Sequence, residues 1–245
     1  MAVSRYRVRF TKREALRFIS HHDLLRVFEL ALRRSGLKVA HTQGFNPRPK
    51  LSFALALSLG IESLDELVDI DLLHDDAPLA PSELVKVLGA QLPTGLTLLE
   101  AEFATGRPVV EACEYECEIP PTHDLQQLQQ RLSDFMAAAS HPHTRERGLS
   151  KKPRHFDARA YTLQASIESD DKRRVLRMKL KTGDDGGMKP SDLLQIIGLD
   201  PNRQLVTKTR TVLALPETTQ TNGTAPEAVA APSETKTEPE SGSLT

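Results

Sequence analysis

Alternation opens the chain. In YRVRFTK, Tyr6, Val8 and Phe10 alternate with Arg5, Arg7 and Arg9, which predicts a strand with one apolar face and one arginine face. From Ser20 the period becomes helical. Leu24, Val27, Phe28, Ala31 and Leu32 form a stripe, Ser20 with Asp23 supplies a capping-box variant, and Gly36 supplies a stop. Arg26, Arg33 and Arg34 lie off that stripe, the last two where the helix dipole favours cations. Further on, KVAHT offers a short extra strand. LSFALALS and ELVDIDLL predict strands joined through Gly60, APSELVKVLGAQLP a helix capped by Ser82, and GLTLLEAEF a returning strand. The order β-α-β-β-α-β is the ferredoxin-like split pattern.

The same order recurs. ACEYECEI alternates, HDLQQLQQRLSDFMAAA is helical, ARAYTLQASIE and RVLRMKLKT predict a hairpin across SDDKR, KPSDLLQIIGL a short helix, and QLVTKTRTVLAL a closing strand. The sequence therefore predicts an α+β protein of two tandem ferredoxin-like (βαββαβ) domains, 1–106 and 107–215, divided where TGRPVV breaks the pattern. Two such sheets side by side make a cleft able to hold a strand of nucleic acid. Residues 216–245, rich in Thr, Pro, Glu, Ser and Ala, bury too little to offset ordering entropy and are expected to be a disordered tail.

Charge changes the picture. The formal net charge of the 245 residues is −1, but residues 1–54 hold 12 Lys/Arg against three acids and residues 55–119 hold two against 14. Residues 120–215 are again basic, 17 against 11. Such segregation predicts a polarised surface, the plain alternative being two ordinary solvated faces. No apolar run reaches the ~20 residues of a membrane span, and MAVSRYRVRFTK lacks the apolar core of a secretion signal. With two cysteines, a reducing cytoplasm is the expected location.

Those cysteines, Cys113 and Cys117, share a strand face but fall short of the three or four ligands a cluster or zinc site needs, so they read as packing. Pro120 stands where a third cysteine of a radical-SAM cluster spacing would fall. No metal and no cofactor are expected. SHHD places His21 at a helix start, where it is a candidate general base or phosphate donor; His41 is a second candidate, and simple capping is the alternative. GFNPRPK is more specific. Gly44 permits close approach or positive φ, and Pro47 and Pro49 stiffen the backbone that carries Asn46, Arg48 and Lys50. Phe45 is then available to stack a base, or else to anchor a rigid connector in the core. The stretch RERGLSKKPRHFDARAY adds Arg145, Arg147, Lys151, Lys152, Arg154 and Arg159 as a second phosphate footprint, or as a mobile solvated loop.

RFISHHDLLRVFELALRRSGLKVAHTQGFNPRPKLSFALALSLGIES, with YRVRFTK before it and ELVDIDL after it, resembles the radical-SAM-linked protein family, a domain of unknown function often fused to or encoded beside a radical SAM protein. The resemblance is strong over residues 5–75, looser to about residue 213, and absent in the tail. Ser20, His21, Asp23, Arg33, Arg34, Gln43, Gly44, Phe45, Asn46, Pro47 and Lys50 match the pattern, whereas His22, His41 and Arg48 depart from it. The resemblance implies a radical SAM partner but brings no catalytic residues. The expected function is a non-catalytic RNA-binding accessory module in RNA or ribosome modification, with tRNA or rRNA as ligand. Its contacts are Arg33, Arg34, Phe45, Asn46, Arg48, Lys50, Lys151, Lys152 and Arg154. The alternatives are a metal-independent endoribonuclease using His21 or His41, and a protein-binding adaptor without RNA contact.

Overall fold

Strand β1 (Ala2–Lys12) behaves as its alternation demands: Tyr6, Val8 and Phe10 are buried while Arg5, Arg7 and Arg9 project from the other face. The structure, a computed structural model, describes residues 1–147, 151–182 and 187–214, without the side chains of Arg147 and Lys151. The expectation for 216–245 lies outside the described residues. A 3-10 turn, Glu14–Phe18, leads into helix α1 (His21–Ser35). The Ser20 hydroxyl accepts from the Asp23 N–H at 3.1 Å and the Asp23 carboxylate accepts from the Ser20 N–H at 3.3 Å, closing the capping box. Leu24, Phe28, Ala31 and Leu32 are buried, Val27 packs beside them, and Gly36 ends the helix in the left-handed region.

KVAHT contributes no strand, only two isolated bridges, Val39 to Leu72 and His41 to Pro49. Strand β2 (Leu51–Phe53) is shorter than the LSFALALS pattern predicts, and β3 (Glu62–His74) is longer. The reason is competition for one edge of β3. Strand β2 pairs at Val68–Ile70, while the closing strand β10 (Val206–Leu213) pairs in parallel at Glu62 and Ser63. Helix α2 (Pro81–Gly89) corrects another expectation: its cap is Ala80, with Pro81 in the first turn, and Ser82 caps nothing. Proline suits that position because the N–H it lacks would have no helical partner. Strand β4 (Leu96–Phe103) completes the half.

The second half runs β5 (Val110–Glu118), α3 (Leu125–Ala137), β8 (Thr162–Ser169), β9 (Arg174–Lys181), α5 (Pro190–Ile197) and β10, with a two-stranded ribbon inserted after α3. That ribbon, β6 (Pro142–Arg147) and β7 (Lys151–Asp157), occupies the segment for which a mobile basic loop was the alternative reading. Its described part is tied to the fold by arginine: Arg145 pairs with buried Asp192 of α5 and donates to the Gly187 carbonyl at 3.0 Å. A single helical turn, α4 (Ala158–Tyr161), follows where ARAY was expected to begin a strand, because Asp157 accepts the Arg159 N–H and caps the turn.

Seven strands run in the order β4-β1-β3-β10-β5-β9-β8, with β2 beside β3, and residues Met1–Ala214 form one compact unit. The expected pair of side-by-side sheets is thus one continuous mixed sheet, joined where β3 meets β10. Two apolar cores lie on it. One is held by α1 and α2 over Tyr6, Val8 and Phe10, the other by α3 and α5 over Cys117, Leu176 and Met178. Both cysteines are buried free thiols, and burial pushes the Cys117 thiol up to about 12. Among the described residues no helix is long and apolar enough to cross a membrane.

Candidate nucleic-acid interface

Much of the segregated charge is cancelled inside the sheet. Arg5 pairs with Asp71 and Arg7 with Asp69, directly opposite in the β1–β3 register, and Arg9 reaches Asp65 at 2.6 Å and Glu100 at 3.0 Å. Arg17 meets Glu62, Lys38 meets Asp75, and Lys12 is buried with its ammonium on the Ile19 carbonyl. Besides the buried Lys12, the cations of the first 54 positions without an ion pair among the described residues are Arg13, Arg26, Arg33, Arg34, Arg48 and Lys50. Four of these six are expected contact residues.

The segment from Ala40 to Lys50 folds as a hairpin braced on β3. The Ala40 N–H donates to the Asp71 carbonyl at 2.8 Å, and the Asp71 N–H donates to the Lys50 carbonyl at 3.2 Å. Above them the Lys50 N–H reaches the Ala40 carbonyl and the Thr42 N–H the Arg48 carbonyl, both at 2.8 Å. The Thr42 hydroxyl accepts from the Arg48 N–H at 3.1 Å, and His41 bridges Pro49. With both legs tied, the chain turns through Gly44 at φ 148, a conformation that side chains disfavour. Phe45 stands at the tip and is fully exposed (106 %), so the core-anchor reading of this phenylalanine is corrected. Asn46, Arg48 and Lys50 are exposed on the same hairpin, and Arg33 and Arg34 are exposed in the last turn of α1, just before it in the chain.

The two histidine candidates are placed differently. His21 opens α1 with its ring against Phe53 at 5.3 Å. Burial lowers its pKa, neighbouring His22 and Lys12 push the same way, and Glu66 opposes them. His41 is exposed in the hairpin leg with Nδ1 3.0 Å from the Val39 carbonyl. Neither has a carboxylate partner among the described hydrogen bonds, and Asp23, next to His21, is committed to the cap.

In the second footprint, Lys152 is exposed and has no ion pair among the described residues, whereas Arg154 is half-buried. The Arg154 guanidinium donates to the Gly187 carbonyl at 3.0 Å and lies over the rings of Phe156 and Tyr161, at 5.0 and 5.6 Å. The Lys151 side chain lies outside the described residues. Sequence reasoning missed this arginine–aromatic stack, although Phe156 and Tyr161 flanking the basic run were its signal. Among the described residues no three His, Cys, Asp or Glu side chains are grouped to hold a metal ion.

Over residues 5–190 the sequence matches the family model described as "Uncharacterized protein conserved in bacteria (DUF2344)". The chain belongs to this family. The DUF2344 match takes in the Arg–Asp ladder, the whole 40–50 hairpin and the β6–β7 ribbon, and stops at the first residue of α5. No curated protein matches the sequence significantly. Among solved structures, a chain of a Cbf5-Nop10-Gar1 complex is similar at 10% identity and a TM-score of 0.47, over 84% of this chain and 48% of that one. The DUF2344 chain thus spans about half the length of that neighbour. An unknown protein from Galdieria sulphuraria is similar at 12% identity and a TM-score of 0.26, over 87% of this chain and all of that one.

Proposed function

We propose that this DUF2344 chain is a cytoplasmic, non-catalytic RNA-binding module built from two ferredoxin-like units fused through β3 and β10. The fusion reading is supported by strand order, β4-β1-β3-β2 in one half and β10-β5-β9-β8 in the other, the same arrangement twice. The RNA reading is carried by one observation: a fully exposed phenylalanine on a braced hairpin whose own cations, Arg48 and Lys50, have no ion pair among the described residues. An exposed ring held this way stacks an unpaired base at little entropic cost, and free guanidinium and ammonium groups take the flanking phosphates. The resemblance over residues 5–75 adds a radical SAM protein as the partner whose reaction on RNA or the ribosome this module serves. The ribonuclease alternative draws less support, since His21 leans on Phe53 and has no carboxylate hydrogen-bond partner among the described residues.

The test is anisotropy of a labelled single-stranded RNA and of tRNA at two salt concentrations. Arg48→Ala with Lys50→Ala is expected to cost on the order of 1–3 kcal/mol of binding and to flatten the salt dependence. Phe45→Ala should cost a similar amount with the salt slope intact, because stacking releases no counterions. A folded double variant that binds like the wild type overturns the reading. If the wild type ignores RNA at low salt while Phe45→Ala loses a protein partner, the hairpin is an adaptor surface.

A further inference from the structure

At the seam between the halves, side chains that point toward the cores are charged. Lys12, Glu66 and Lys208 are each buried, and the Lys208 ammonium pairs with the Glu66 carboxylate. Lys12 also feels the Glu66 charge. Asp65, the nearby second acid, is engaged by Arg9 at 2.6 Å, which also holds Glu100, and accepts the Thr211 N–H. Lys12 and Lys208 are thus two buried cations, and of the two only Lys208 has a carboxylate, that of Glu66, as an ion-pair partner among the described residues. Lys208 has three N–H donors, and Glu66 is its one described partner.

Lys208 also lines a cleft, together with Tyr115, Cys113 and Lys189. Leu57, Ile61, Met188 and Pro190 supply apolar lining, and its volume is about 510 Å³. That size suits a small-molecule site, and a mostly apolar wall over a few convergent polar groups is the usual make-up of one. None of the described residues lining it is acidic. A neutral apolar guest would leave the Lys208 donors unmet, whereas a bulky polyanion would find too little polar surface along the walls.

We propose that this cleft binds a small apolar monocarboxylate, its acid group on the free donors of Lys208 and its hydrocarbon against Leu57 and Met188. The site is independent of the hairpin and of RNA. Glu66 is its internal competitor: it holds the same Lys208 ammonium that the guest carboxylate takes.

Calorimetric titration with decanoate, and with 1-decanol as the uncharged probe of the same shape, tests this on the full chain. Decanoate is expected to bind at least tenfold more tightly than decanol. Lys208→Met should erase that preference, and Glu66→Gln should tighten decanoate several-fold while leaving decanol unchanged. Should Lys208→Met fail to fold, Glu66→Gln still decides, because it predicts a gain that damage to the fold does not produce. Equal affinity for acid and alcohol, no binding of either, or indifference of decanoate to Glu66→Gln overturns the proposal.

Discussion

Arg7 and Asp69 face each other across β1 and β3 and close a two-pronged ion pair, Nε to Oδ1 at 2.9 Å and Nη2 to Oδ2 at 3.1 Å, with the Asp69 side chain only 3 % exposed. Two parallel donors on one carboxylate fix geometry as well as charge. Removing one partner leaves the other buried and unpaired, so Asp69→Leu is expected to cost about 3–5 kcal/mol in urea denaturation. Adding Arg7→Met to that variant should restore much of the loss. A double variant no more stable than the single one would show that the pair contributes through packing alone.

Lys152 and Arg154 sit two residues apart on β7 and should behave oppositely. Arg154 is engaged by the Gly187 carbonyl and two aromatic rings, so Arg154→Ala should lower the melting temperature by several degrees and leave the salt slope of RNA binding as it was. Lys152→Ala should leave the melting temperature alone and reduce the salt slope by about one counterion. Melting curves and two-salt anisotropy on the same preparations check both halves of the statement.

The fold was largely legible because helix and strand periods are local properties. The α1 stripe and its Ser20–Asp23 cap follow from spacing alone, and so does the repeated element order. What escaped was decided by partners distant in sequence. Strand β2 ends at Phe53 because β10, 150 residues later, takes the rest of that edge of β3. The arginines of β1 looked like a surface because their acids lie some 60 residues away, although VDID carried the matching alternation. At the candidate site, composition named Arg48 and Lys50 but left Phe45 undecided; only the bracing of Ala40 and Lys50 by Asp71 puts that ring in solvent.

Gly44 offers a test of the hairpin that touches no contact residue. A Cβ there would meet no atom within 4 Å, yet the backbone sits at φ 148, so the penalty for a side chain is conformational and local. Gly44→Val should leave the melting temperature nearly unchanged, since the tip packs on nothing. RNA affinity should fall on the order of fivefold as about 1 kcal/mol of strain is relieved by moving Phe45. Unchanged affinity would mean that the direction of the tip is immaterial.

The last prediction concerns acid sensitivity at His21. Burial against Phe53 disfavours the imidazolium, as do the charges of His22 and Lys12, so the folded pKa lies below the ordinary value of 6.5 despite the pull of Glu66. Between that lowered value and 6.5 the unfolded chain binds the proton and the folded chain resists it. The unfolded state then holds more protons, and stability rises with pH across the window. Read downward, stability is complete above the ordinary histidine value and is lost as pH falls through it, until the folded imidazole is itself protonated. Melting temperatures taken from pH 7.5 to 5 should therefore decline. His21→Leu, which keeps an apolar contact with Phe53 and cannot titrate, should show a shallower decline. An identical slope in the two proteins would mean that His21 accepts its proton equally well folded and unfolded, and that the Phe53 contact does not shield it from water.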